Sequence, residues 1–222
     1  MKLKFICVLL IAAAAAAVSV RAQQPAAEGR AVLNEDGGEA FIIESGAPLV
    51  PSGHGRKLVN GQPEQCSVFL GSEWAASSQQ TRETQLQNLL AHVDDEKALA
   101  ALEESGVKDR FGPTASVVRP DISSRTLSDT DIQRLLATML DEGSLPRFGG
   151  KTIYVVFLDS TLQSTLGSLV AGKHYFAYYS VFRSSGSDVR YVVVPFQSGA
   201  ATTNQVALRA LLAATSNPAS PN

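Results

Sequence analysis

The chain has 222 residues, of which 19 are basic and 21 acidic, with 45% hydrophobic side chains. A formal net charge of −2, with no basic run longer than Arg56-Lys57, weighs against nucleic acid and anionic membrane, which are held mainly by Lys and Arg clusters. A chain of this length can bury a sizeable core, and one domain is the default expectation.

Met1-Lys2-Leu3-Lys4 is a basic start, and Phe5 through Val18 then runs without a charge into an alanine tract. Val20-Arg21-Ala22 ends in a small residue before polar Gln23-Gln24. This plan predicts a secretory signal peptide over residues 1–22, cleaved after Ala22. The apolar run is shorter than the roughly 20 residues that cross a bilayer, so no stable membrane insertion is expected after cleavage. Cleavage leaves 16 basic residues against 21 acidic, a charge near −5. The expected destination is the periplasm or the external medium. Cys66 is then the only cysteine, so the fold rests on its hydrophobic core without an internal disulfide. Cys66 reads as a small buried residue, with no histidine or other cation nearby to hold a thiolate.

Residues 23–65 are rich in Gly, Pro, Ala and Glu, and read as a flexible leader. Their apolar patch Phe41-Ile42-Ile43 could add one edge strand. Val68 to Trp74 reads as a strand ending in a loop, followed by a helix carrying Leu86, Leu89, Leu90 and Val93, with Ser77 or Ser78 as cap. Leu99 and Leu102 suggest a second short helix ended by Gly106. Thr114–Val118 is β-branched enough for a strand, stopped by Pro120. Ser128 then caps a helix with Asp131 three residues on, and Ile132, Leu135, Leu136, Met139 and Leu140 form its inward stripe. Gly143 and Pro146 end it.

Thr152–Leu158 is unbroken in its apolar character, which predicts a strand covered on both faces. Tyr175–Phe182 and Arg190–Phe196 read as two strands joined through Ser184 to Asp188. A final helix runs over Val206–Ala214. Strands and helices interleave, so the expected fold class is α/β: a single domain over residues 66–222, with a mixed sheet flanked by helices in three layers.

The motifs are mostly near misses. Gly167-Ser168-Leu169-Val170-Ala171-Gly172-Lys173-His174 nearly spells a phosphate loop, but His174 stands where Ser or Thr would hold magnesium, and a strand follows where a helix is needed. His54, His92 and His174 are the only histidines, with no metal-ligand spacing. Ser160 follows Asp159 without the glycine-flanked turn of a serine hydrolase. Glu73 beside Trp74, the only tryptophan, at a strand end could line a binding cleft. The plainer reading is that Trp74 seals one end of the core. Tyr175, Tyr178 and Tyr179 could form an aromatic surface for glycans, but strand alternation sends Tyr178 and Tyr179 to opposite faces.

Taken together, Val68-Phe69-Leu70-Gly71-Ser72-Glu73-Trp74, Ser105-Gly106-Val107, Pro120-Asp121, Leu127-Ser128-Asp129-Thr130-Asp131-Ile132, Leu145-Pro146, Tyr154-Val155-Val156-Phe157-Leu158 and Tyr191–Pro195 resemble the secreted phosphate-induced protein family, to which the EXORDIUM-like proteins belong. The resemblance is to its bacterial members and covers roughly residues 66–218. It implies a metal site built from a histidine on the strand matching Tyr178-Tyr179-Ser180 and a His-Glu-x-x-Glu helix followed by Thr-Asp-Pro. Here Tyr179 and Arg209 stand where the histidines would be, and Ala210 and Ala213 where the glutamates would be. Asn217-Pro218 keeps the turn without its carboxylate, and the family continues beyond the point matching Asn222. The resemblance therefore implies a degenerate or truncated member. The expectation is an exported, non-catalytic protein without a cofactor, binding an envelope or glycan ligand. A secreted hydrolase with its site near Glu73 and Trp74 is the alternative.

Overall fold

The computed structural model describes residues 30–44, 63–91, 100, 114–147 and 151–216. Chain order is β1 (Arg30–Leu33), β2 (Glu39–Ile43), β3 (Glu64–Leu70), a short 3-10 turn at Ser72–Ala75 and α1 (Ser77–Ala91). Next come β4 (Thr114–Arg119), β5 (Thr126–Ser128), α2 (Asp129–Asp141), β6 (Thr152–Leu158), β7 (Gln163–Leu166) and β8 (Leu169–Val170). The described part closes with β9 (Ala177–Ser184), β10 (Ser187–Val194) and α3 (Ala200–Ser216).

Seven strands form one mixed sheet in the order β1-β2-β9-β10-β6-β3-β4, and β5, β7 and β8 form a small second sheet. The four strands β10, β6, β3 and β4 are mutually parallel, while β9, β2 and β1 add on antiparallel. All seven residues of β6 are buried, because helices cover both of its faces. Ile153, Val155 and Phe157 share a cluster with Leu86 and Leu90 of α1 and with the apolar residues between Val206 and Ala214 of α3. Tyr154, Val156 and Leu158 face the other way, against Ile132, Leu136, Met139 and Leu140 of α2. The molecule is an α/β fold with helices on both sides of a mixed sheet.

Local chemistry explains the element ends. Ser128 accepts from the Asp131 backbone N–H at 3.1 Å while the Asp131 carboxylate accepts from Ser128 N–H at 3.1 Å, closing a capping box. Ser185 and Gly186 have φ of 50° and 78°, and this left-handed pair makes the two-residue β9–β10 turn that suits the twist of the strands.

The small second sheet of β5, β7 and β8 has no counterpart in the sequence expectation, and two further stretches differ from it. Residues 30–44 form a β-hairpin, and β2 is an inner strand, paired with β9 on one side and with β1 on the other. The patch Phe41-Ile42-Ile43 gains this place because Ile42 and Ile43 pack into opposite faces of the core. The last helix begins six residues earlier than Val206, at Ala200, with Thr203 buried and its hydroxyl donating to Gly199 O at 3.1 Å. The helix expected around Leu99 and Leu102 and the remainder of residues 1–62 lie outside the described residues. No described helix is long and apolar enough to cross a membrane.

Candidate functional site

β3 connects onward to β4 on one side, and the chain then returns to β6 on the other side of β3. That reversal is a topological switch point, and in open α/β sheets ligands bind outside the carboxyl ends of the strands that flank it. The residues that emerge there are Gly71 to Ala75 after β3 and Asp159 to Thr161 after β6.

Asp159 organises both loops. It is buried, its Oδ2 accepts the Glu73 backbone N–H at 2.8 Å, and its Oδ1 accepts the Thr161 N–H at 2.9 Å and hydroxyl at 2.6 Å. The carboxyl group lies directly against Gly71, where any Cβ would collide with it, and Gly71 has φ of +118°. Both facts require glycine at that position. Glu73, carried on the 3-10 turn, reaches across to the loop after β6, and its Oε2 accepts the Ser160 hydroxyl at 2.7 Å and N–H at 3.3 Å. Glu73 and Ser160 thus form the solvent-facing lip, with Asp159 beneath them as the bracket.

Trp74 is 4% exposed and points inward from this lip. Its ring lies 4.9 Å from that of Phe69, centroid to centroid, so it seals the end of the core in the plainer of the two roles expected of it. The Arg82 guanidinium lies 6.0 Å from the Trp74 ring and 5.3 Å from that of Phe196, and donates to Thr203 Oγ1 at 2.9 Å. This ties α1 to α3 beside the two loops. Of the expected cleft pair, Glu73 therefore stands at the surface and Trp74 behind it.

The positions at which the resemblance implies metal ligands fall elsewhere. Tyr179, Ala210 and Ala213 belong to one apolar cluster, and Tyr179 stacks on Phe41 at 5.1 Å with planes 9° apart. Arg209 sits beside them on α3, half-buried. The alanines have no ligating atom and the guanidinium is cationic, so these residues do not fit a metal ion. Among the described residues no three His, Cys, Asp or Glu side chains are grouped to hold one. His174 is engaged locally, its Nδ1 accepting the Val170 N–H at 2.9 Å. The Gly167–His174 segment runs through β8 and a turn, with no helix start for a phosphate to meet. His54 and His92 lie outside the described residues. Tyr175, Tyr178 and Tyr179 are all buried and offer no aromatic platform to a ligand.

A second buried acid is invisible to motif reasoning. Asp129, the first residue of α2, has no solvent exposure and receives four hydrogen bonds. Tyr178 and Tyr191 hydroxyls donate to Oδ1 at 2.8 and 2.6 Å, and the Asn34 and Gln133 amides donate to Oδ2 at 2.9 Å each. Burial pushes the Asp129 carboxyl above the ordinary aspartate range, while the hydroxyl and amide donors pull it back down. Burial and the neighbouring carboxylate hold both tyrosine hydroxyls well above their usual range. The network joins the β1–β2 turn, α2, β9 and β10; its outer members Asn34 and Gln133 border a surface pocket of about 220 Å³, but Asp129, Tyr178 and Tyr191 are fully enclosed, so it is architecture. The signal available in sequence was a second acid, one residue past the cap, on a helix that needed only Asp131. No family profile, curated protein or solved structure matches the chain.

Proposed function

We propose that the protein is an exported, non-catalytic binding component of the cell envelope, a degenerate relative of the phosphate-induced proteins. In this reading its ligand, a glycan, is taken at the lip formed by Glu73 and Ser160. The observation that carries this reading is how the lip's polar groups are deployed. Asp159 is occupied beneath the lip by three internal hydrogen bonds, while Glu73 and Ser160, bonded to each other through Glu73 Oε2, stand at the surface of a switch point. Carboxylate acceptors and hydroxyls are the groups that pair with sugar hydroxyls. The apolar packing of Tyr179, Ala210 and Ala213 supports loss of the relatives' metal site.

The test is titration of the chain beginning at Gln23 with soluble glucose and N-acetylglucosamine oligomers, read by Trp74 fluorescence. Saturable binding that is lost in Glu73→Gln and in Ser160→Ala, with the oligomers recovered intact, is the expected result. Cleaved oligomers or stoichiometric zinc in the purified protein would overturn it. A second reading, a secreted hydrolase, is favoured by one distance: Ser160 Oγ lies 2.7 Å from Glu73 Oε2, within reach for a carboxylate to accept a nucleophile's proton. Covalent labelling by a fluorophosphonate, absent in Ser160→Ala, would select that reading.

A further inference from the structure

At the opposite end of the parallel strands from Glu73, a cavity of about 450 Å³ opens where β6 and β10 begin. Its walls are the last turn of α2 with the loop after it, and the β9–β10 turn. The two walls are joined through Asp141, whose Oδ1 accepts from Arg147 Nη2 at 2.7 Å and from the Ser185 hydroxyl at 3.3 Å. Arg147, Arg183 and Arg190 all line the cavity, with Thr152 and Tyr154 on its floor.

Against three guanidinium groups, Asp188 is the one acid lining the cavity among the described residues. It is shared loosely, 3.5 Å from Arg183 Nε and 3.9 Å from Arg190 Nη2. Asp141 pairs with Arg147 from outside the lining, at an exposed position. Glu64, opposite Thr152 on the next strand, is not part of the wall. With Asp141 counted beside Asp188, the three arginines leave the cavity a net charge of +1 on a chain whose overall balance is negative. Arg147 is closely paired with Asp141, whereas Asp188 meets Arg183 and Arg190 only at 3.5 and 3.9 Å, and the planar forks of all three match the oxygens of a phosphate or carboxylate. Arg147 also donates through Nε to Leu140 O at 3.4 Å, which covers one of the α2 carbonyls that would repel an anion there. The volume lies in the range of small-molecule sites.

We propose that this cavity is a second binding site, for the oxyanion group of a sugar-sized ligand. It is independent of the lip at Glu73 and Ser160, so failure of either site leaves the other standing.

Calorimetric titration of the full chain at low ionic strength, with inorganic phosphate, glucose 6-phosphate and glucuronate as separate probes, tests it. Saturable binding of at least one probe with a Kd below about 1 mM is expected, weakened about tenfold by Arg183→Gln or Arg147→Gln. Arg134→Gln, on the exposed side of α2, leaves it unchanged. Preference for glucose 6-phosphate over inorganic phosphate assigns a phosphorylated sugar, and glucuronate alone a carboxylate. Asp188→Asn removes the competing acid and tightens binding several-fold, a gain that damaged folding could not mimic. No saturable binding of any probe below about 10 mM, or equal binding by Arg183→Gln, or weaker binding by Asp188→Asn, overturns the proposal.

Discussion

Asp129→Ala removes the shared acceptor of four donors, and the cost can be worked from their burial. The Tyr178 and Tyr191 side chains are both fully buried, so each hydroxyl is left without water to replace the carboxylate. An orphaned buried donor costs about 1–3 kcal/mol. Gln133 is only half-buried and can turn to solvent, while Asn34 is fixed, its own Oδ1 accepting Gly38 N–H at 2.6 Å. Relief of the buried charge offsets part of the loss, which leaves a net destabilisation of about 3 kcal/mol. Asp129→Asn keeps one acceptor oxygen and costs about half as much, roughly 1.5 kcal/mol. Urea unfolding followed by Trp74 fluorescence measures both, with an unchanged m-value. The folded carboxyl lies above its unfolded value, so as pH falls the folded chain binds a proton first. The group's contribution therefore rises as pH drops through the folded pKa and levels off below the unfolded one. The gap between wild type and Asp129→Ala is accordingly wider at about pH 4.5 than at about pH 7. A change within about 0.5 kcal/mol of wild type would refute the account of the network.

Gly71→Ala places a Cβ on the Asp159 carboxyl at φ of +118° and destabilises by about 3 kcal/mol or more. Gly143→Ala, at φ of +75° with open space around it, costs about 1 kcal/mol; equal melting temperatures for the two variants would contradict the reasoning. Val156→Asp puts an unpaired charge between β6 and α2, where Val156 has no exposure, and is expected to yield no soluble folded protein. Cys66 is fully buried, with its thiol pushed up to about 12, so a thiol reagent at pH 8 labels it only after denaturation; rapid native labelling would show the strand to be more open. N-terminal sequencing of exported material is expected to return Gln23 first, and a retained Phe5–Val18 segment would contradict it.

What the sequence disclosed was what local patterns encode. Thr152–Leu158 reads as a doubly covered strand because the six consecutive apolar residues Ile153–Leu158 leave no polar face. Ser128 and Asp131 read as a cap because the motif is complete within four residues. Tyr178 and Tyr179 do lie on opposite faces, as period-two alternation demands. The rest depends on partners far along the chain. Gly71 looks like any strand-ending glycine until Asp159 is placed against it. Asp129 looks like a solvated helix-start acid until Tyr178 and Tyr191 arrive from two other strands. Arg30–Leu33 and Glu39–Ile43 are too short to declare themselves, and become strands by pairing with each other and with β9. The three arginines of the cavity come from separate segments, so no linear basic cluster announced them.

The pairing of β2 with β9 also sets a timetable for folding. Ala40 lies opposite Ser180, and Ile42 opposite Tyr178, so the hairpin has no strand to join until most of the chain is available. The inner parallel strands β3 and β6 are likewise separated by long connections, and such non-local pairing assembles slowly because loop closure must precede its reward. Docking of the hairpin therefore waits on β9, and the Asn34–Asp129 hydrogen bond ties the hairpin's turn to α2.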